Sequence, residues 1–413
     1  MRNDHSSSIV AGGSSKGWEG NPEPSAVQLG GLALEFSYAR RCGVRVKIGL
    51  LGAGRIGALH AGVLTGYPSV KEVLVGDTDS RRAERVAAEV GGEAGSIEEI
   101  LDSRPDAVVI AASTPAHAPL ILASVEAGIP AFCEKPIALG YDDTVEVVEA
   151  VESSGAVLQI GFQRRFDAGY AEARRLVETG SLGTIYSVRL ATHDPEPPPE
   201  EYISASGGIF CDLHIHDFDV LRWLTGKEVD EVYAAGGVLG FDFFARHGDV
   251  DTSAALITMQ DGTVAVLTGG CHDPLGYDAR AEIFGSRDSV AVGVDGRTPL
   301  RSVEPGIPPA EKPAYPNFQE RFLDAYRAEL KHFLSLACGE AENPRTARDA
   351  LEALKVAMAA DLSLAAAPLR HPRWDDAAGR TGTEGRKRPE PGMAAQASKG
   401  GACGKIRAQG AFA

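Results

Sequence analysis

The chain predicts an α/β fold in two parts: a parallel sheet wound with helices, then an α+β part built on a large, mostly antiparallel open sheet. Three observations carry this expectation. From residue 44 to about 167, short apolar runs alternate with helical patterns, the rhythm of strands joined by crossover helices. The first apolar run feeds a glycine-spaced turn that opens directly into a helical pattern. From residue 168 the rhythm changes to runs alternating between apolar and polar residues, separated by turn signals such as Asp261-Gly262.

Composition narrows the functional classes. A chain of 413 residues is long enough for two or three domains, each with its own core. Its 44% hydrophobic and 24% charged residues are those of a globular protein. A formal net charge of −16 argues against nucleic acid or an anionic membrane as a partner, because both demand basic surfaces. No apolar run approaches the roughly 20 residues that span a bilayer. The six cysteines, at 42, 133, 211, 271, 338 and 403, form no CxxC pair and read as free thiols in a reducing cytoplasm.

Residues 1–43 are rich in Ser, Gly and Asn and read as a disordered extension, or as chain ahead of a true start near Val44. Arg40-Arg41 raises the question of a twin-arginine export signal. The apolar run that follows is short and enters a glycine-rich loop, so a strand explains it better.

That strand, residues 44–51, leads into Gly52-Ala53-Gly54-Arg55-Ile56-Gly57 and a helix through Leu64. Strand, GxGxxG and helix together are the signature of a Rossmann dinucleotide-binding domain. Gly52 permits the tight turn, Gly54 lets the backbone approach a pyrophosphate, and Gly57 lets the helix pack on the strand. Asp77 ends the next strand, 20 residues beyond Gly57, where a carboxylate can accept from both adenosine ribose hydroxyls. It would repel a 2′-phosphate, so NAD is expected; Arg81 and Arg82 nearby keep NADP as the lesser alternative.

Helices follow at about 80–90 and 96–101, then a buried strand at 107–112 that ends in Ser113-Thr114-Pro115-Ala116-His117. A helix at 119–127 and a strand at 131–133 lead to Glu134-Lys135-Pro136. Pro136 holds Lys135 extended at the carboxyl edge of the sheet. A helix at 141–153 and a strand at 156–162 complete the NAD-binding domain, 44–167. The second domain, 168–372, is expected to bind substrate and mediate oligomerisation. Its strands read at 185–191, 229–237, 252–260, 263–270 and 280–284, with helices at 168–179, 317–338 and 346–364. Residues 373–413 read as a disordered tail.

Residues 207–224, GGIFCDLHIHDFDVLRWL, are expected to form one amphipathic helix. Asp212 and His216, four apart, then share a face, and a carboxylate beside an imidazole can fix its tautomer for proton transfer. The clustered His193, Cys211, Asp212, His214, His216 and Asp217 also invite a metal-dependent hydrolase reading. On a helix, His214 and His216 diverge by about 200° and cannot chelate one ion, so no metal is expected and His214 is read as a bystander.

With GAGRIG (52–57), STPAHA (113–118), EKP (134–136), GFQRRFD (161–167) and DLHIHDFD (212–219) assembled, the chain resembles the glucose–fructose oxidoreductase/inositol dehydrogenase/MocA family over about residues 45–370. Within it, it looks most like the bacterial myo-inositol 2-dehydrogenases. The resemblance implies NAD-dependent oxidation of a secondary hydroxyl of a cyclitol or sugar. The alternatives it leaves are another sugar or aldose dehydrogenase, or glycoside cleavage through bound NAD. It implies that Lys135, Asp212 and His216 are catalytic. Gly52, Gly54, Arg55, Ile56, Gly57, Asp77, Ser113, Thr114, His117 and Glu134 would line the cofactor. Lys135, Arg165, His193, Asp212, His216 and Tyr277 would contact substrate. His216, its tautomer held by Asp212 or a neighbour, would take the hydroxyl proton, and Lys135 would bond the same oxygen. The resemblance also implies a homo-oligomer, tetramers being common. The segment after His193, DPEPPPEEY, departs from the HRN usual in inositol dehydrogenases, and it lines the expected pocket.

Overall fold

The computed structural model describes residues 45–366, except 309, 311, 344 and 345, together with 406–407. The expected extension at 1–43 and almost all of the expected tail lie outside the described residues.

The first half is a six-stranded parallel sheet in the order β3-β2-β1-β4-β5-β6. Its strands are β1 (Val46–Leu51), β2 (Val70–Gly76), β3 (Glu93–Gly95), β4 (Ala107–Ile110), β5 (Ala131–Glu134) and β6 (Leu158–Gly161). β4, β5 and β6 are buried along their whole length, because helices cover both faces of a parallel sheet. Those helices are α1 (Arg55–Thr65), α2 (Ser80–Val90), α3 (Ile97–Asp102), α4 (His117–Ala127) and α5 (Tyr141–Ser154). Their starts are encoded locally. The Asp79 carboxylate accepts from the Arg81 and Arg82 amides, and Ser96 with Glu99 forms a reciprocal capping box. β3 is a strand that the sequence pattern does not announce, being three largely exposed residues without apolar alternation.

The chain then crosses through α6 (Ala168–Glu178) to β7 (Ile185–His193), followed by α7 (Glu200–Ser206), α8 (Ile209–Asp212) and α9 (Ile215–Thr225). The rest comprises β8 (Val229–Gly237), α10 (Phe243–Arg246), β9 (Thr252–Met259), β10 (Val264–Gly270), β11 (Asp278–Gly285), β12 (Ser289–Val292), α11 (Phe318–Arg321), α12 (Leu323–Ala337), α13 (Ala347–Ala365) and β13 (Ile406–Arg407). The second sheet runs β12-β11-β7-β10-β9-β8-β13. Its neighbours are antiparallel except β7 and β10. β13 is a departure from the unstructured tail expected of 373–413: the edge strand β8 presents unpaired backbone groups, and two residues dock on them.

Exposed and buried residues alternate strictly along most of β9 and β10, so one face of the second sheet packs inward and the other stays open. α9 and α13 cover the inner face. The last two long helices also serve the first sheet. Leu330, Phe333 and Leu334 of α12 join the core around β1 and β2, and Ala347, Ala350, Leu351 and Ala353 of α13 join the core around β4 to β6. Further along α13, Val356, Ala357, Ala359 and Ala360 enter the core of the second sheet.

One expected element is broken. Residues 207–224 are not a single helix but α8 and α9, interrupted at Leu213 and His214. The Asp212 carbonyl, which a continuous helix would offer to the next turn, instead accepts a hydrogen bond from Lys135 Nζ at 2.6 Å.

Candidate active site

The glycine turn follows β1 with each glycine under a different constraint. Gly52 has φ +107°, and a Cβ there would lie 2.5 Å from the Ala111 backbone. A Cβ on Gly57 would fall 2.0 Å from the Gly52 carbonyl oxygen, which is the close helix–strand packing the motif requires. At Gly54 a Cβ would meet nothing within 4 Å. The turn is therefore closed behind and open in front, leaving room for a pyrophosphate against the α1 N-terminus. Arg55 and Ile56 open α1; the Arg55 guanidinium lies over the Phe318 ring, and Ile56 packs between the two halves.

Asp77 stands at the carboxyl end of β2 as expected. Its Oδ2 accepts from the Ala53 amide at 2.7 Å and its Oδ1 from the Asp79 amide at 2.9 Å, so the carboxylate also braces the glycine turn. A cleft beside it, bordered by Thr78, Ser80, Gly95 and Ser96, suits an adenosine end. On these observations the residues present fit a dinucleotide. Ser113 and Thr114 lie at the end of β4, in the turn before α4.

Two residues expected at the cofactor are engaged elsewhere. His117 Nδ1 lies 2.7 Å from the Pro136 carbonyl and Nε2 3.1 Å from the Ala112 carbonyl, so neither ring nitrogen is left for a dinucleotide. The ring ties the end of β4 to the turn after β5. Glu134 Oε1 pairs with His60 Nε2 of α1 at 2.6 Å, closing the space between β5 and that helix.

The reacting groups gather where α8 meets the carboxyl edge of β5. Lys135, whose bond to Pro136 is cis, places Nζ 3.2 Å from Asp212 Oδ1 as well as 2.6 Å from the Asp212 carbonyl. The same Oδ1 accepts from the Tyr202 hydroxyl at 3.0 Å. The Asp212 carboxylate thus serves Lys135, which leaves the His216 tautomer to the other expected holder, a neighbour. The helix break parts the pair that a continuous helix would have stacked. His216 Nδ1 is buried without a hydrogen-bond partner among the described residues, and the ring stands edge-on to Phe162. Burial first, then the charges of Lys135 and Arg164, push His216 well below the usual histidine range, so the imidazole is neutral near pH 7.

Behind these groups lies a buried polar network. Arg164 pairs with Asp217 at 2.5 Å and donates to Thr192 at 3.0 Å. Asp217 also meets His214 Nδ1 at 2.9 Å, and His214 Nε2 lies 2.8 Å from the Ser253 hydroxyl. Burial, the largest single effect, raises the Asp217 carboxyl, but the Arg164 guanidinium together with the hydrogen bonds from His214 and Thr192 outweighs it and holds the group below its ordinary value. His214, read as a bystander, is instead the link between α9 and β9.

Arg165 does not reach the site. Its guanidinium makes a two-pronged pair with Asp219 and approaches Asp349 of α13 at 3.7 Å, so the expected substrate contact is a helix-to-helix anchor. The twin arginines of GFQRRFD and the last two aspartates of DLHIHDFD therefore pair off in order. His193, the last residue of β7, keeps its ring partly exposed, with Nδ1 3.8 Å from Asp278; burial holds it below the usual histidine range. Tyr277 is buried against Phe318 and Phe322, and burial raises its hydroxyl.

Two residues of the divergent segment after His193 belong to the site and were not anticipated. Tyr202 is one. Asp194 is the other: burial, then the Asp212 charge, push its carboxyl up to about 6 despite Arg55, Lys135 and Arg164 nearby. The signal was the departure itself, an acid and a tyrosine placed in a pocket-lining stretch.

Known proteins resemble both halves of the chain. Residues 46–162 match the family described as oxidoreductase family, NAD-binding Rossmann fold, and residues 170–291 match the GFO/IDH/MocA C-terminal domain. The chain is 39% identical over 322 residues to myo-inositol dehydrogenase Hyg17 of Streptomyces leeuwenhoekii, covering 77% of this chain and 97% of that relative. It is 35% identical to inositol 2-dehydrogenase of Rhizobium meliloti, covering 78% and 97%. Among solved structures, a putative myo-inositol dehydrogenase from Sinorhizobium meliloti 1021 superposes with a TM-score of 0.72 at 35% identity, over 78% of this chain and 98% of that one. The scyllo-inositol dehydrogenase of Lactobacillus casei, solved with NAD(H) and scyllo-inositol, superposes with a TM-score of 0.70 at 28% identity, over 78% and 97%.

Proposed function

The chain belongs to the GFO/IDH/MocA family of oxidoreductases, and from that premise we propose that it is an NAD-dependent inositol 2-dehydrogenase, oxidising the secondary hydroxyl of a cyclitol to a ketone. The observation that carries the reading is the meeting of Lys135 Nζ and Asp212 at the carboxyl edge of the dinucleotide-binding sheet, with a neutral His216 beside them.

When bound, the nicotinamide supplies the acceptor for the hydride of the substrate carbon. The protein handles the proton and the oxygen. His216, kept neutral by burial, has a lone pair free to take the hydroxyl proton. Lys135 donates to the same oxygen and steadies the charge that develops on it, while Asp212 holds the lysine from two sides. Asp77 favours NAD over a cofactor carrying a 2′-phosphate. His193 and Tyr277 remain the candidates for the far side of the ring, and Ser113 and Thr114 for the cofactor.

The open face of the second sheet exposes Leu256, Val264 and Val266, with Leu256 opposite Val266 in the ladder, which supports a homo-oligomer, a tetramer being our preferred number. The cysteines 133, 211 and 271 are free thiols, which supports a reducing cytoplasm.

The test is NADH formation at 340 nm with free NAD and a panel of myo-inositol, scyllo-inositol, other cyclitols and aldoses. Turnover with an inositol supports the reading; a panel that leaves NAD unreduced overturns it.

A further inference from the structure

The Asp212 carboxylate is shared. Its Oδ1 accepts from Lys135 Nζ at 3.2 Å and from the Tyr202 hydroxyl at 3.0 Å. Tyr202 rides on α7, a two-turn strap between β7 and α8, and the residue as a whole is 45% exposed. Burial of the hydroxyl, then the Asp212 charge, raise it above the ordinary tyrosine value, so it stays protonated and can only donate to the carboxylate.

The strap is held at both ends. At its start, Glu200 takes both guanidinium prongs of Arg246 from α10, at 3.0 and 2.8 Å. In its middle, Ile203 is buried, and the strap packs against the Thr114–Ala116 turn at the cofactor edge. At its end stand Gly207 and Gly208, with φ of +83° and +85°, a joint that a side chain would strain. α7 thus carries Tyr202 from the solvent side onto a carboxylate at the reacting centre.

We infer that Tyr202 is a positioning residue of the dehydrogenase: its hydroxyl fixes the Asp212 carboxylate for Lys135 and takes up part of the negative charge that the lysine faces. This rests on the reading of Lys135 as the group that meets the substrate oxygen. A hydrogen bond to a carboxylate spreads its charge onto the donor, so a neighbouring ammonium is held less firmly in its charged form. Without the hydroxyl, the full charge of Asp212 falls on Lys135. The other charged or titratable groups in the field of this pair are Arg55 of α1, Arg164 after β6, Asp194 after β7 and His216 of α9. Cys211, Cys271, His117 and Asp249 feel it from further round. None of these makes a hydrogen bond to Asp212 Oδ1, so Tyr202 alone shares that oxygen with Lys135 among the described residues.

The test is Tyr202→Phe, which keeps the ring and removes the hydroxyl, beside Tyr202→Ala. With NAD and the inositol that the wild type turns over, the Phe variant is expected to lose kcat on the order of tenfold. Its KM for NAD stays unchanged, and the alkaline limb of its kcat/KM profile, where the donor Lys135 loses its proton, moves to higher pH. A second readout needs neither substrate nor cofactor: acetic anhydride labelling of Lys135 at pH 8, followed by peptide mass spectrometry. It is expected to run roughly threefold slower in the Phe variant, because more of the lysine is charged. A Phe variant with the wild-type pH profile and labelling rate, beside an impaired Ala variant, would show that the ring only packs, and would overturn the proposal. If labelling slows as expected while no inositol is oxidised by the wild type, the role of Tyr202 stands and the substrate assignment falls instead.

Discussion

Arg164 and Asp217 form an ion pair sealed from solvent, 2.5 Å apart with 1% and 0% of their side chains exposed. The pair joins the turn after β6, at the edge of the dinucleotide-binding sheet, to α9 over the second sheet. It therefore sets the distance between the two halves at the point where Lys135 and His216 must meet.

Breaking that pair from one side leaves a buried, uncompensated charge. Asp217→Ala is expected to cost about 3–5 kcal/mol of stability, read from the midpoint of urea unfolding. Replacing both partners with Leu should cost clearly less than the single change, because no orphaned charge remains. A single variant as stable as the wild type would refute the bracing role.

Lys135→Ala and His216→Ala are expected to lose a factor of roughly 10² to 10⁴ in kcat, the usual share of general acid–base and charge-stabilising groups. NAD affinity, measured by fluorescence quenching, should hardly change. Comparable losses in both quantities would undo the assignment.

The glycine turn offers a contrast between fold and ligand. Gly57→Ala drives a methyl to 2.0 Å from the Gly52 carbonyl, so the thermal midpoint and NAD binding should fall together. Gly54→Ala puts its methyl into open space, so the midpoint should hold while NAD affinity drops at least tenfold, the pyrophosphate being kept off the backbone. A Gly54 variant that binds NAD normally would move the cofactor away from this turn.

Burial, then the Asp249 charge, push the Asp361 carboxyl up to about 7. A carboxyl raised on folding binds its proton more tightly in the native state. Its contribution is therefore full below the unfolded value near 3.9 and is lost as pH rises through about 7. Since the side chain is partly exposed, a screened effect on the order of 1–2 kcal/mol is expected. Asp361→Asn should accordingly stabilise the protein more at pH 8 than at pH 5 in urea titrations. An equal gain at both values would contradict it.

The parallel half of the fold was legible because its signals are local: buried apolar runs, a glycine turn and an acid at fixed spacing. Within the candidate site, Lys135 and Asp212 do meet and His216 lies in the field of the lysine, but the wiring was not legible. Helical periodicity placed Asp212 over His216, whereas a lysine 77 residues away takes the Asp212 carbonyl and breaks the helix. Arg164 and Arg165 look interchangeable in sequence. Only tertiary pairing shows one bracing α9 through Asp217 and the other reaching Asp219 and α13. Glu134 and His117 sit at the right edge, but Glu134 Oε1 pairs with His60 and the His117 ring nitrogens face main-chain carbonyls, partners that no short-range pattern reveals.

α13 enters the core around β4 to β6 with its first turns and the core of the second sheet with its last, although it is made long after those strands. A nascent chain emerging from the ribosome therefore cannot finish its nucleotide-binding half in order of synthesis. Strands β4 to β6 wait with apolar surface uncovered until some 200 further residues have been added. Truncation before Ala347 should for the same reason yield an aggregating fragment and not a smaller working enzyme.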